Sequence, residues 1–146
     1  MKIGFGSDHG GYDLKKEIMK LVADMGYECF DYGSFEGESV DYPDYAKKVC
    51  DAIVNGEVEL GMLFCGTGIG ISIAANKVKG IRCALLTEGY SAKMAKVHNN
   101  ANCIALGGRT TGVNLAADIV KSFLEAEFEG GRHQKRLDKI SKMEER

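Results

Sequence analysis

Five short apolar runs recur along this chain, at Lys2–Ser7, Tyr27–Asp31, Leu60–Phe64, Ile81–Leu85 and Asn102–Leu106, with helically spaced stretches between them. In Tyr12–Met25 the residues Leu14, Ile18, Leu21, Val22 and Met25 make one apolar stripe. Asp44–Val54 carries Tyr45, Val49 and Ile53 at a spacing of four. Pro43 precedes it, at an early helical position where a missing N–H costs nothing. Gly68–Lys77, Tyr90–Val97 and Val113–Glu127 complete the set, the last with Thr111 or Gly112 available as its cap. Strands alternating with helices predict right-handed βαβ crossovers and a parallel sheet covered on both faces. The runs are apolar rather than cleanly alternating, as doubly covered strands should be. The fold class is α/β.

A length of 146 residues fits one domain, which removes about 70% of its unfolded surface from water. No internal repeat or linker divides it, so residues 1–146 read as a single unit. Gly130-Gly131 interrupts the chain before a charged segment, and 131–146 is expected to be an added C-terminal helix. Its stripe of Leu137, Ile140 and Met143 is narrow, which suggests docking on a neighbouring subunit rather than on its own core.

The formal net charge of −2 argues against a non-specific nucleic-acid binder. No apolar run reaches the roughly 18 residues that cross a bilayer. The first residues enter strand-like sequence with no apolar stretch of signal-peptide length. The five cysteines, at 29, 50, 65, 83 and 103, show no CxxC pair. Free thiols in a reducing cytoplasm are therefore expected, rather than a disulfide framework or a structural zinc site. Cys29, Cys83 and Cys103 read as small buried hydrophobes in strands.

Ligands of open parallel sheets bind beyond the carboxyl ends of the strands, where strand order reverses. Ser7-Asp8-His9-Gly10-Gly11 follows the first strand, Cys65 to Ser72 (CGTGIGIS) the third, and Thr87-Glu88-Gly89-Tyr90 the fourth. His98-Asn99-Asn100 precedes the fifth strand and Gly107-Gly108-Arg109 follows it. Polar and glycine content is thus expected to gather at one end of the sheet. In the CGTGIGIS turn, glycines bring backbone N–H groups close to an anion. The turn lacks both the GxGxxG spacing and a Walker lysine, so neither a dinucleotide nor a nucleoside triphosphate is indicated. Tight packing alone would also call for those glycines. Cys65, ahead of a helix N-terminus, could serve as base or nucleophile, or simply fill the core. Asp8 and His9 could move a proton or cap the next helix. His98 alone proves little. Arg132 and Arg136, four apart, could grip one phosphate with Arg109, or belong to a solvated charged tail.

Taken together, GSDHGG near the start, DYPDYA (Asp41–Ala46), CGTGIGISIAANKVKGIRCAL (Cys65–Leu85), HNNANCIALGGR (His98–Arg109) and EGGRHQKR (Glu129–Arg136) resemble the type B ribose-5-phosphate isomerases. These share a family with the allose- and galactose-6-phosphate isomerases. The resemblance runs end to end. It implies a Rossmann-like three-layer sandwich with a five-stranded parallel sheet, a homodimer or tetramer, and active sites shared between subunits. It further implies Cys65 as the base at C2 of the open-chain sugar. The N–H groups of Gly66, Gly68, Ile69 and Gly70 would form the oxyanion hole, with Thr67 assisting proton transfer. Asp8 and His98 would open the sugar ring, His98 from the partner subunit, and Asn99 would hold sugar oxygens. His9, Arg109, Arg132 and Arg136 would contact phosphate and substrate. No metal and no organic cofactor is implied. One branch of the family carries a glutamate base where this chain has Ile71, and glycine in place of the cysteine; Cys65 puts this chain in the other branch. Ribose 5-phosphate is the expected substrate. A six-carbon sugar phosphate is the nearest rival, and a non-catalytic phosphosugar-binding module the more distant one.

Overall fold

The computed structural model describes residues 1–35 and 38–145. Five strands, β1 (Lys2–Ser7), β2 (Glu28–Asp31), β3 (Leu60–Cys65), β4 (Cys83–Leu85) and β5 (Cys103–Gly107), form one sheet in the order β2-β1-β3-β5-β4. Every pairing is parallel, with Phe5 opposite Met62 and Leu63 opposite Ala105. The helices are α1 (Tyr12–Asp24), α2 (Tyr42–Val54), α3 (Ile69–Ala75), α4 (Gly89–Val97), α5 (Val113–Leu124) and α6 (Arg132–Met143).

Alternation along each central strand divides the core in two. Ile3, Phe5, Met62, Phe64, Ile104 and Leu106 face α1, α4 and α5, where Ile18, Val22, Ile119 and Phe123 are wholly buried or nearly so. Leu63, Cys65, Cys103 and Ala105 face α2 and α3, against Val49, Cys50 and Ile71. Each large side chain removed from water contributes about 1.5–3 kcal/mol. The expected five-stranded α/β sandwich is the architecture found.

Three details depart from the expectation. Cys29 and Cys83 are only half-buried, since they sit on β2 and β4, the strands at the two edges of the sheet. Strand β4 starts at Cys83 rather than Ile81, because asparagine side chains take its leading backbone groups. The Arg82 N–H donates to Asn102 Oδ1 (2.8 Å) and the Cys83 N–H to Asn76 Oδ1 (2.8 Å). Lys15, absent from the apolar stripe of α1, is wholly buried. Its ammonium donates to Asp31 Oδ1 (2.9 Å) and to the Ser34 carbonyl (2.7 Å), tying α1 to the segment that follows β2.

The C-terminal helix lies on its own chain. Leu137 is 5% exposed and the Glu144 carboxylate accepts the Gly80 N–H (2.7 Å), which gives α6 anchors along its length. Ile140 and Met143 remain 44% and 72% exposed. Leu137 and Glu144 thus hold α6 against its own chain, while Ile140 and Met143 present an apolar face outward.

Because β1 lies between β2 and β3, the chain leaves it in opposite directions on successive crossovers. The crevice of a parallel sheet opens at such a reversal, above the carboxyl ends of β1 and β3.

Candidate active site

The turn after β3 stands at that crevice. Gly68 has φ +80° and ψ −13°, a left-handed conformation that favours glycine. A Cβ there would come within 2.8 Å of Leu85 Cδ1 and 2.9 Å of the Leu106 backbone. The packing explanation for this glycine therefore holds alongside any ligand role. The same geometry aims the Gly68 N–H at the Cys65 thiol, which accepts it at 3.2 Å. Cys65 is 4% exposed, at the top of β3. Thr67 Oγ1 accepts the Ile69 N–H (3.2 Å), and Ser72 Oγ donates to the Ile69 carbonyl (2.7 Å). Two N–H groups of the expected oxyanion hole, those of Gly68 and Ile69, thus already have partners within the turn. Ile71 is buried in the core beneath it.

Asp8, at the end of β1, accepts the N–H groups of Gly10 (2.9 Å) and Gly11 (3.1 Å) through Oδ1. These bonds brace the turn ahead of α1, whose N-cap is Gly11 with no side-chain cap, so the carboxylate orders the loop at the crevice rather than capping the helix. The loops after β1, β3 and β5 are bonded into one wall. The Asp8 N–H donates to the Phe64 carbonyl (3.1 Å), that of Gly108 to Cys65 (2.8 Å) and that of Arg109 to Gly66 (2.9 Å). The Arg109 guanidinium lies beside Gly66, its Nη1 3.4 Å from where a Cβ would stand. His9 is exposed and its Nδ1 accepts the Val40 N–H (3.3 Å). With Tyr12, Ser34, Phe35, Glu38 and Ser39 it borders a cavity of about 300 Å³.

Sequence reasoning singled out no role for Tyr42. Its ring packs against Gly70, where an added Cβ would lie 2.5 Å from Cζ. The signal was present in DYPDYA, where Tyr42 opens α2 facing the turn.

The remaining expected residues lie elsewhere. His98 ends α4, its N–H donating to the Met94 carbonyl (2.8 Å). Since α4 returns from the carboxyl end of β4 to the start of β5, His98 and Asn99 belong to the amino edge of the sheet. They are not part of the polar end of the sheet, where the sequence leads one to expect them. The Asn99 carbonyl accepts Arg82 Nε (3.1 Å). The Glu129 N–H donates to the Val97 carbonyl (3.0 Å), bringing the start of α6, with exposed Arg132 and Arg136, to that same edge. A groove of about 700 Å³ beside α6, lined by Arg82, Asn99, Leu137 and Ile140 among others, lies here too. The expected site residues therefore fall into two groups on one chain: Asp8, His9, Cys65–Gly70 and Arg109 at the carboxyl edge, and His98, Asn99, Arg132 and Arg136 at the amino edge.

His133, also overlooked from sequence, belongs to the second group. It lies four residues before Leu137, on the buried face of α6, and its ring stacks on that of His98 with centroids 4.3 Å apart. Burial holds its imidazolium below the usual histidine range, helped by the positive charges of His98 (when protonated), Arg132 and Arg136. The Glu129 carboxylate, at 3.7 Å, pulls the other way.

A model of the ribose/galactose isomerase family matches residues 3–140. The chain belongs to this family. Among solved structures, ribose-5-phosphate isomerase B of Clostridium thermocellum superposes with a TM-score of 0.98 at 55% identity, covering 99% of this chain and 98% of that one. A Mycoplasma genitalium structure of ribose-5-phosphate isomerase B with bound ribulose-5-phosphate matches with a TM-score of 0.93 at 42% identity, over 99% and 96% of the two chains. Ribose-5-phosphate isomerase B of Escherichia coli is 48% identical, over 99% of this chain and 97% of its own length. As in other members of the family, all five strands run parallel in one sheet. Among the described residues no helix is long and apolar enough to cross a membrane.

Proposed function

We propose that this chain is an aldose–ketose isomerase that interconverts ribose 5-phosphate and ribulose 5-phosphate through an enediolate. The observation that carries the reading is the Cys65 thiol, held at the reversal point under the Gly68 N–H in a chain of this family.

The reaction needs one base, donors for a developing oxyanion and an anchor for the non-reacting phosphate. In this reading the Cys65 thiolate takes the C2 proton of the open-chain aldose. The electron pair moves into the C1–C2 bond, and the carbonyl oxygen becomes the oxyanion. A proton passes from the C2 hydroxyl to the C1 oxygen, and return of a proton at C1 completes the ketose. A positioned base contributes about 10²–10⁴-fold, and one oxyanion donor about 3–4 kcal/mol. The donors are the N–H groups of Gly66 to Gly70, and Gly68 and Ile69 exchange their internal partners for substrate oxygen. Thr67 then frees its hydroxyl to assist proton transfer.

Ring opening falls to Asp8 and His98, and sugar oxygens to Asn99. The phosphate is held by His9, Arg109, Arg132 and Arg136, whose binding energy orients the reacting carbons. A second copy supplies the amino-edge half of each site, which makes the working form a homodimer or a tetramer built from such dimers. Five free cysteines suit a cytoplasmic setting.

The test is proton NMR of ribose 5-phosphate, allose 6-phosphate and galactose 6-phosphate in D₂O with the enzyme. Ribulose 5-phosphate forming fastest, with solvent deuterium entering at carbon, is the expected result. Turnover of a six-carbon substrate alone would keep the mechanism and change the substrate. Absence of both isomerisation and exchange would overturn the enzymatic reading in favour of a phosphosugar-binding module.

A further inference from the structure

His133 has a combination of features that core packing alone does not require. Its side chain is 8% exposed, and its Nε2 is buried without a hydrogen-bond partner among the described residues. The nearest carboxylate oxygen, Glu129 Oε1, is 3.7 Å away, beyond hydrogen-bond length. The ring lies face to face with His98, its plane tilted by only 13°.

His98, Glu129 and His133 bring ligand atoms within 4.8 Å of one another, which raises the question of a metal ion. The stacking answers it. An imidazole lone pair lies in the plane of its ring, and a bound transition metal sits in that plane at about 2.0–2.1 Å. Two nearly parallel planes separated by a stacking distance share no such point.

What the contact does provide is orientation. The backbone of His98 is fixed at the end of α4, but a surface imidazole would still be free to rotate. Two connections bring a plate beneath it. Gly130 and Gly131, with φ of +73° and +55°, bend the chain so that α6 starts over the end of α4. The Glu129–Val97 bond fixes that approach one residue before His98. The turn of α6 that bears Arg132 and Arg136 thereby also carries the surface on which His98 lies.

We propose that His133 is a positioning residue that holds the His98 ring at the angle needed to open the furanose. The inference rests on the ring-opening role of His98 in the function proposed above. It goes beyond that role by assigning the orientation of the ring to a stacked partner. His133 does not itself touch the substrate.

Ribulose 5-phosphate separates ring opening from the later chemistry. Its C5 oxygen is esterified, so the ketone stays open-chain and reaches the enediolate with no ring step. In D₂O the base removes a C1 proton, solvent deuterium returns to C1, and labelled ribulose 5-phosphate is recovered. This wash-in needs Cys65 but not His98.

The experiment compares forward turnover of ribose 5-phosphate with C1 wash-in for the wild type, His133→Ala, His133→Phe and His98→Ala. The expected result for His133→Ala is a forward kcat lowered about tenfold or more, since misplacing a reacting group by an ångström can cost about a hundredfold. KM changes little, and wash-in stays within about threefold, the same split as for His98→Ala. His133→Phe, which keeps a flat ring under His98, restores most of the lost turnover. Equal losses in turnover and wash-in for His133→Ala, or no loss in either, would overturn the inference. If the alanine variant does not fold, the phenylalanine variant decides: a turnover deficit of about tenfold or more there would show that the imidazole itself, not its stacking surface, is required. Absence of both wash-in and turnover in the wild type would instead refute the proposed isomerase activity.

Discussion

At the carboxyl edge of the sheet the candidate site residues are held by backbone bonds between loops, whereas at the amino edge a side-chain stack joins a single backbone bond. Cys65, Asp8 and Arg109 stand on three loops joined by main-chain bonds, and the thiol and the carboxylate each accept N–H groups from their own loops. His98 and the two arginines stand on helix ends brought together by one backbone bond and a pair of stacked rings. The first arrangement suits a proton abstraction that tolerates little displacement. In the proposed dimer, the second suits groups that reach across to the other subunit.

The sharpest way to break this contrast is at the thiol. Cys65→Ala is expected to cut kcat by about 10²–10⁴-fold, the contribution of a positioned base, while calorimetry still detects sugar-phosphate binding. An active alanine variant would remove the base from the carboxyl edge. Mixing inactive subunits tests whether the two edges meet. In a two-fold dimer of Cys65→Ala with His98→Ala, half of randomly paired dimers are mixed, and each of those carries one intact site. Recovery of about a quarter of wild-type activity is expected, and no recovery at all would mean that each chain works alone.

Legibility from sequence followed the same division. The apolar runs of β1, β3 and β5 and the glycine turn could be read directly, because local pattern and tertiary role coincide there. Strand order could not be read, since alternation of strands with helices is compatible with several orders. That is why Cys29 and Cys83 look like core residues until β2 and β4 prove to be edges. Lys15 was concealed by its charge, its burial depending on Asp31 sixteen residues away. His133 depended on the bend at Gly130-Gly131, whose direction no periodicity encodes.

Smaller effects sharpen the comparison. Gly68→Ala forces a side chain into a left-handed conformation and against the Leu106 backbone. Destabilisation of about 1–3 kcal/mol is expected in denaturant titration. A comparable loss is not expected for Gly112→Ala, where a Cβ meets nothing within 4 Å. At the amino edge the smallest effect is on acid stability. The proton affinity of His133 is lower in the folded chain than in the unfolded one. As pH falls below the usual histidine value of about 6.5, the unfolded state therefore takes up a proton that the native state does not. Stability is expected to be fully present above that value and to decline below it, and His133→Phe should flatten the decline measured by thermal unfolding. An unchanged slope would mean that His133 charges as readily folded as unfolded.

The wall formed by the loops after β1, β3 and β5 has a consequence for how the thiol is reached. The amides of Asp8, Gly108 and Arg109 donate across loops, to Phe64, Cys65 and Gly66, so none can be released without disturbing its neighbour. Hydrogen exchange at these three positions should accordingly report one common opening free energy. That free energy measures how rarely solvent gains entry to Cys65 through this wall, a leak that the fold closes with main chain.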